Sequence, residues 1–443
     1  MLPEPTLRTT VERALAASTA DQTEVVITVT DAALTRFANN AIHQQVAEYT
    51  TALTVRAILG QRIGLASGTD LSADGVARVV SQACANARHA PEVPDFRALP
   101  APQPIPPADG WSEATAHCSP EARAHLVALI CQPALSAGLR AAGYVETRAE
   151  QRLVANSRGV FAVHQQTIAS ALAVVSGENG SGYADRFGVD LNAIDAEGLA
   201  KEAIGRARLT RAPVELPVGE YDVVLEPYAV ADLVSFVALL GFSARAVQEQ
   251  TSFLCGRLGE RIFGENITLW DDPTGPGVIP EPFDWEGVPS QRVELVTEGI
   301  ATGLVYDTLT ADREGKESTG HALPPGAAAG PLPRHLVLAP GTTDDLVRLV
   351  DRGLLVTRFW YTRTVHPLTV TVTGMTRDGL FLIERGEVVA PVKNLRFTQS
   401  YLRALERVVA LGRETKLQLD ELVNCRVPPV YIAGWTFTGA TEF

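Results

Sequence analysis

The sequence predicts an α+β protein with two domains, an antiparallel sheet with helices followed by mostly antiparallel β structure. From Val25 to Gly60, apolar and polar residues alternate with a period of two, which is typical of strands that bury one face. The segment 71–88 instead has apolar residues three and four apart, as amphipathic helices do. Beyond residue 219, short apolar stretches separated by Gly and Pro predict a barrel-like or sandwich-like domain with a helical segment near its start.

The first domain is assigned to residues 1–212 and should begin with a helix at 5–18. A meander of strands follows, and its first turn is expected at Asn39-Asn40 because asparagine tolerates positive φ. The helix at 71–88 comes next. The Pro-rich segment 91–107 cannot form regular structure, so it is predicted to be an extended connector.

The same spacing rules predict the elements that remain. In the first domain these are a helix at 120–137, strands at 144–148, 152–155 and 160–176, and a helix at 190–208. A domain boundary is expected at 213–219. In the second domain, 219–443, they are a strand at 221–225, a helical region at 228–262 and one more helix near 342–352.

Composition and charge exclude some classes of function. The net charge of −13 argues against sequence-independent binding of nucleic acid, which requires clustered Lys and Arg. The five cysteines form no CxxC pair, a pattern typical of reduced cytosolic thiols. The N-terminus lacks the basic and apolar regions of a signal peptide, and the longest apolar run is too short to span a bilayer. We therefore expect a cytoplasmic protein.

Eight motifs in this order resemble the TldD/PmbA family. They are LTRFANNAIHQ (34–44), TVRAILGQRIGLASGTDLS (54–72), VANSRGV (154–160), GERIFGENITLWDDP (259–273), FDWEGVPSQRVELVTEGIATGLVYD (283–307), KESTGHA (316–322), TRDGLFLIERGEVVAPVKN (376–394) and NCRVPPVYIAGW (424–435). No single motif is decisive, but their order and spacing together are specific.

The resemblance also implies where a metal site would lie. In the metal-bearing subunit of this family, a helix carries HExxxH and a Cys near the C-terminus completes a zinc site. Here the corresponding positions hold Glu226, Pro227 and Ala231, and the family's Cys corresponds to Cys425. One thiolate cannot hold zinc alone, so Cys425 is interpreted as an inherited, semi-buried thiol. The resemblance is therefore to the PmbA/TldE side of the family, whose members keep the fold without the metal.

This resemblance implies the function of a non-metal subunit in a heterodimeric metallopeptidase that acts on unfolded or modified peptides. The chain would help form the chamber and hold an extended peptide, would contain no cofactor or catalytic residue, and could form homodimers when alone. Zinc and catalysis would belong to a HExxxH-bearing partner. One alternative is a self-sufficient homodimeric hydrolase with a non-standard site made of Glu226, Asp232, His321 and Cys425. A second is a non-enzymatic interaction protein, because the family has been described as a modulator of DNA gyrase.

Several side chains are candidates for contact with a peptide or a partner. His321 lies in a motif typical of the PmbA side, and Arg and aromatic residues are favoured anchors at binding surfaces. The candidates are His321, Arg358, Tyr361, Arg363 and His366. Two acidic pairs, Asp271/Asp272 and Asp284/Glu286, are interpreted as turn-forming residues.

Overall fold

The computed structural model describes residues 1–419 and 423–441. Residues 420–422 and 442–443, which belong to the predicted second domain, lie outside the described residues. The α+β prediction is confirmed, with long strands and helices in the first half and shorter strands in the second.

The first sheet is entirely antiparallel. Its strands are β1 (Gln22–Ala38), β2 (Ala41–Leu59), β3 (Arg62–Gly68), β4 (Arg140–Asn156), β5 (Phe161–Ser176) and β6 (Ser181–Gly188), in the spatial order β3-β2-β1-β4-β5-β6. Asn39 and Asn40 join β1 to β2 with φ values of 51° and 62°, as the sequence predicts. The Asn40 side chain fixes this turn, since its oxygen accepts from the Ala141 N–H at 2.7 Å.

Helices cover one face of the first sheet. They are α1 (Glu4–Ala17), α2 (Ala73–His89), α3 (Glu113–Ala116), α4 (Pro120–Ser136) and α5 (Ala196–Leu209). Side chains alternate across a strand, so the odd-numbered residues Val25, Ile27 and Val145 face these helices. The even-numbered residues therefore face the opposite way, toward the second half of the chain.

The second half contains two more sheets. It begins with β7 (Gly219–Leu225), α6 (Pro227–Gly241) and α7 (Ala244–Gln248). The second sheet has β8 (Leu269–Asp271), β9 (Val293–Thr297), β10 (Ile300–Ala301), β11 (His335–Leu338), β17 (Lys416–Leu419) and β18 (Asn424–Val427). The third contains β7 together with β12 (Arg352–His366), β13 (Thr371–Glu384), β14 (Glu387–Pro391), β15 (Leu395–Ser400), β16 (Val408–Leu411) and β19 (Val430–Ala440). Helices α8 (Thr308–Glu314) and α9 (Tyr401–Glu406) lie between strands.

The third sheet closes into a barrel. Strand β12 pairs with both β7 and β13, and β7, β19, β15 and β13 pair in succession, so five strands form a circle. The barrel-like alternative is therefore correct. Helix α6 packs against it, with Ala229 and Leu233 in the same core as Leu354 and Cys425. This packing fixes the start of α6 beside β18.

The structure corrects several predicted elements. The two strands predicted at 144–148 and 152–155 form one strand, β4. The charged residues Arg148, Glu150 and Arg152 do not break it, because they occupy alternate positions and so share one face of the strand. The helix predicted near 342–352 is wrong, since only Val347–Leu349 form a single 3-10 turn before β12 begins. The helical region predicted at 228–262 ends with α7, and β6 was not predicted.

Candidate functional site

A cavity of about 760 Å³ lies between the first sheet and the second half of the chain. Even-numbered residues of β1, β4 and β5 form its floor, because the odd-numbered ones face the helices. Its opposite wall comes from residues 279–285 and the first residues of β11 and β18. The lining side chains are mostly polar or charged, and include Thr28, Thr30, Glu146, Arg148, Glu150, Arg152, His164, Gln166, Glu281, Trp285, Arg334, His335 and Asn424.

Ion pairs fix the wall of this cavity to its floor. Glu281 accepts from Arg152 at 2.5 Å and also pairs with Arg334. Burial would raise the pKa of Glu281, but the two guanidinium groups hold it well below its usual range. Arg152 also stacks on Trp285, with 4.6 Å between the guanidinium carbon and the ring centroid. The cavity therefore carries fixed charges, and such a lining suits the polar main chain of a peptide better than an apolar ligand.

The start of α6 lies where the family resemblance implies a zinc helix. Pro227 is the first residue of α6, a position that needs no backbone N–H. Glu226 precedes it and forms an ion pair with Arg206 of α5 at 2.8 Å. Burial raises the pKa of Glu226 against the attraction of Arg206. This carboxylate is thus occupied by a salt bridge between the two halves of the chain.

Cys425 belongs to β18 and lies beside α6. Its thiol is buried, 3.3 Å from the Ser235 hydroxyl and 3.9 Å from the Ala231 carbonyl oxygen. The structure therefore brings Ala231 and Cys425 together, but a thiol beside alanine and serine does not fit zinc, which takes three protein ligands in a catalytic site. Over residues 1–419 and 423–441, no group of three or more His, Cys, Asp and Glu side chains is arranged to hold a metal ion.

An ionic network surrounds this end of α6. We call it the lysine cluster; its charged members are Lys416, Arg206, Arg186, Asp185, Glu202 and Glu226. The Lys416 ammonium lies 3.8 Å from Asp185 and 3.7 Å from Glu202, and contacts the Tyr228 hydroxyl. Burial lowers the pKa of Lys416 and raises that of Asp185. With three cations and three carboxylates, the cluster is formally neutral and joins the first sheet to α6.

A second network, the carboxylate cluster, joins the two halves elsewhere. It consists of Glu24, Arg56, Asp284, Glu286 and Asp307. Arg56 donates to Glu24 at 2.7 Å and to Glu286 at 3.0 Å. Burial raises the pKa of Glu24 to about 7, and burial with the nearby Glu286 raises that of Asp284 to about 8. The cluster thus contains one arginine for four carboxyl groups, so some of these carboxyl groups hold protons near neutral pH.

His321 is a buried structural side chain. It is 5% exposed; its Nε2 lies 2.9 Å from the Asp271 carboxylate and its Nδ1 lies 2.9 Å from the Thr319 carbonyl oxygen. The other Asp271 oxygen accepts from the His335 N–H at 2.7 Å. His321 therefore has little surface to offer a peptide, but it supports the cavity wall through His335.

The other contact candidates fall into two environments. Arg358 is held by Asp378 at 2.5 Å and stacks on Tyr183, so it braces the two halves. Tyr361, 64% exposed, and the exposed Arg363 stack on each other at 4.6 Å at the outer end of β12, and His366 is exposed there too. These three remain available for contact with another molecule, whereas Arg358 does not.

In the contacts described, the four residues of the alternative hydrolase have different partners. Glu226 pairs with Arg206, His321 with Asp271, and Cys425 with Ser235. Asp232 accepts from the Tyr401 and Thr362 hydroxyls, each at 2.7 Å. No nucleophile–base contact therefore links any two of these four side chains in the contacts described.

Sequence reasoning missed the residues that form the cavity and the two clusters. Arg152 and Glu281 are 129 residues apart, and Arg56 and Glu286 are 230 apart. A local signal existed for the floor, because Glu146, Arg148, Glu150 and Arg152 occupy alternate positions of β4 where a buried strand normally has apolar residues. Such a polar face indicates a sheet that faces a cavity.

No helix in the described part of the chain is long and apolar enough to cross a membrane. Among solved structures, TldE from Thermococcus kodakarensis matches with a TM-score of 0.89 and 22% identity, over 98% of this chain and 100% of that one. This likeness shows the shared fold.

Curated relatives match by sequence. A metalloprotease PmbA from Escherichia coli O157:H7 is 25% identical over 84% of this chain and 83% of its own length. An uncharacterized protein from Methanocaldococcus jannaschii is 36% identical over 38% of this chain and 40% of its own length. The chain spans between 46% and 59% of the length of several other curated relatives that it matches.

Two family descriptions match defined segments of the chain. Residues 23–87 match the PmbA/TldA metallopeptidase domain 1, which covers β1 to α2. Residues 218–439 match the PmbA/TldA metallopeptidase C-terminal domain, which covers β7 to β19 and includes α6 and Cys425. With half of its length matched in this way and its fold shared, the chain belongs to the PmbA/TldD metallopeptidase family.

Proposed function

We propose that this chain is the non-metal subunit of a cytoplasmic two-subunit metallopeptidase. In this proposal the chain helps to enclose an unfolded or modified peptide in the cavity between its halves. A second subunit of the same family, carrying HExxxH, supplies zinc, water and general base. The chain's own residues bind and orient the peptide and perform no bond-breaking step.

The start of α6 is the observation that supports the proposal most directly. The positions that would carry the two imidazoles and the glutamate of HExxxH hold Glu226, Ala231 and Pro227. Proline has no ionisable group and alanine no ligand atom, while the Glu226 carboxylate is engaged by Arg206. The neighbouring Cys425 contacts the Ser235 hydroxyl, and among residues 1–419 and 423–441 no three His, Cys, Asp or Glu side chains are arranged to hold a metal ion.

The cavity supports the peptide-holding part of the proposal. Its volume of about 760 Å³ is within the ordinary range for ligand sites, which is about 300–1,000 Å³. Arg148 lies between Glu146 at 3.0 Å and Glu150 at 3.4 Å on its floor. Amide groups of an extended peptide can hydrogen-bond with such side chains without a demand for one sequence.

Reconstitution tests this proposal. The purified full chain and a HExxxH-bearing relative from the same source are assayed separately and mixed, with unstructured peptides as substrate. We expect the mixture to cleave far faster than either protein alone, and a chelator to abolish the activity. Peptidase activity of this chain alone, or full activity of the relative alone, would contradict the proposal.

A matched pair of variants tests the role of the cavity. Arg148→Ala changes the cavity floor, and Arg78→Ala removes an exposed arginine of α2 that pairs with Asp70. In the mixture, we expect Arg148→Ala to raise KM several-fold and Arg78→Ala to leave it unchanged. Equal kinetics for both variants would argue against this cavity as the peptide site.

A further inference from the structure

One end of the cavity is closed by an apolar cluster. Thr28, Arg152 and His164 are direct neighbours across β1, β4 and β5, and all three line the cavity. The next row on the same face of the sheet is buried against Phe283, with each side chain 3% exposed or less. That row consists of Val26, Val154 and Ala162. A peptide that lies along the floor therefore cannot extend past Arg152.

The closed end carries a net positive charge. Arg152 and Arg334 both pair with Glu281, so two guanidinium groups share one carboxylate. His164 and His335 also line this end, and burial lowers the pKa of both, so these imidazoles are neutral at pH 7. Among the side chains that line the closed end, cations thus exceed carboxylates by one.

Several hydrogen-bond donors at the closed end have no acceptor. The Arg334 side chain is 24% exposed, and in the contacts described it pairs with Glu281 alone. Trp285 lines the cavity, and its buried indole N–H has no acceptor among the described residues. The same holds for the Nε of Arg152, which stacks on Trp285. A buried donor without an acceptor is destabilising, so an anion that accepts from these groups would be bound favourably.

We propose that the closed end of the cavity binds the C-terminal carboxylate of a peptide, with Arg334 and Trp285 as the principal donors. Hydrogen bonds from a guanidinium group to a carboxylate are among the strongest in proteins, and they are often bidentate. A chain terminus fits better than an acidic side chain, because the peptide has to stop at the closed end. The inference rests on the peptide-holding role proposed above and defines the substrate class as peptides with a free C-terminus.

The remaining floor indicates which residues would precede that terminus. Glu146, Arg148 and Glu150 follow at alternate positions of β4, with two carboxylates for one cation. The floor from residue 146 to residue 152 is roughly 20 Å long, which is the length of about six extended residues. We therefore expect basic or uncharged residues within the last six of the peptide to bind better than acidic ones.

Calorimetric titration of the full chain alone tests the proposal without any cleavage. The probes are an unstructured hexapeptide of alanine, glycine and serine with a free C-terminus, the same peptide as a C-terminal amide, and an amide whose last residue is aspartate. We expect the free acid to bind about tenfold tighter than either amide, since only its carboxylate reaches the donors. Equal affinities for the acid and the plain amide would overturn the proposal, as would an aspartyl amide that binds as tightly as the acid.

Variants locate the carboxylate site. Arg334→Gln should weaken the free acid about tenfold and leave the amide unchanged, because only the acid contacts the guanidinium. Trp285→Phe keeps a ring beside Arg152 but removes the N–H, and should weaken the acid by a smaller factor. The control is Arg413→Gln, which changes a 61%-exposed side chain paired with Asp344 and should alter neither affinity. A loss in Arg334→Gln that is equal for acid and amide, at an unchanged unfolding temperature, would overturn the proposal.

Binding and cleavage separate this inference from the two-subunit proposal. Cleavage by the mixture, together with equal binding of acid and amide to this chain, would overturn the carboxylate site alone. A clear preference for the free acid in a chain that supports no cleavage would keep the carboxylate site and overturn the proposed function.

Discussion

The lysine cluster and the carboxylate cluster both join the first sheet to the second half, but they solve the problem of buried charge differently. In the lysine cluster, Lys416, Arg186 and Arg206 balance three carboxylates. In the carboxylate cluster, Arg56 is the one cation named for four acids and pairs with Glu24 and Glu286. Burial raises the pKa of Glu24 to about 7. The first contact has one cation for each carboxylate, whereas the second depends on bound protons.

The largest effect is expected from Arg56→Met. This change leaves Glu24 and Glu286 buried without their shared cation, which typically costs about 3–5 kcal/mol of the free energy of unfolding. Denaturant unfolding at pH 8 should show this loss, and the loss should shrink at pH 5, which lies below the Glu24 pKa of about 7. Arg62→Met, which removes an exposed pair with Glu92, is the control and should cost under about 1 kcal/mol. Equal losses for the two variants would contradict the contrast between the clusters.

The pH dependence of stability should expose the proton held by Glu24. A carboxyl whose folded pKa lies above its unfolded value of 4.5 binds more protons in the folded state. Its contribution is therefore present at low pH and is lost as the pH rises toward about 7. Glu24→Gln should gain roughly 3 kcal/mol relative to the wild type between pH 4.5 and 8.

The control for this experiment is Glu12→Gln, an exposed acid of α1. Its stability should follow the wild-type pH profile. A pH-independent difference between Glu24→Gln and the wild type would show that folding does not shift the pKa of Glu24, which would contradict the raised value.

Lys416→Met should have an intermediate effect. Removing the ammonium leaves Asp185 and Glu202 with Arg186 and Arg206 still nearby, and Lys416 is 26% exposed. We expect a loss of about 2 kcal/mol by denaturant unfolding, because hydrogen bonds to charged groups contribute about 1.5–3 kcal/mol. Lys416→Arg should recover most of it. A loss equal to that of Arg56→Met would remove the distinction between the balanced and unbalanced clusters.

Cys425→Ala should have the smallest effect of the four. The change removes a buried sulfur that contacts the Ser235 hydroxyl and the Ala231 carbonyl oxygen, and we expect a loss of about 1 kcal/mol. The metal content of the chain should not change. A loss of bound metal in this variant would give Cys425 the role of a ligand and contradict its interpretation as a structural thiol.

Local chemistry made part of the fold predictable. The Asn39-Asn40 turn follows from residues adjacent in sequence, as does the start of α6 at Pro227. Asp284, interpreted as turn-forming, does accept from the N–H of Glu286 and of Val288. Its burial against the first half could not be foreseen, because that depends on contacts with residues hundreds of positions away.

The errors have the same origin. The sequence predicts two strands where β4 is one, and the Glu281 partner of Arg152 lies in another part of the sequence. The sequence also left undecided whether the second domain is a barrel or a sandwich. The pairing of β12 with β7 closes the barrel, and it joins residues more than 120 positions apart. The resemblance to the family predicted that Cys425 lies near the start of α6. The periodicity of apolar residues gave no information on this contact.

Metal analysis of the purified full chain tests the central claim most directly. The protein is incubated with equimolar zinc, desalted and measured by mass spectrometry. The triple variant Glu226→His/Pro227→Glu/Ala231→His, which restores the family's ligand positions beside Cys425, serves as the positive control. We predict no stoichiometric zinc in the native chain and a marked gain in the variant. One retained equivalent in the native chain, held by its own side chains, would contradict the non-metal subunit.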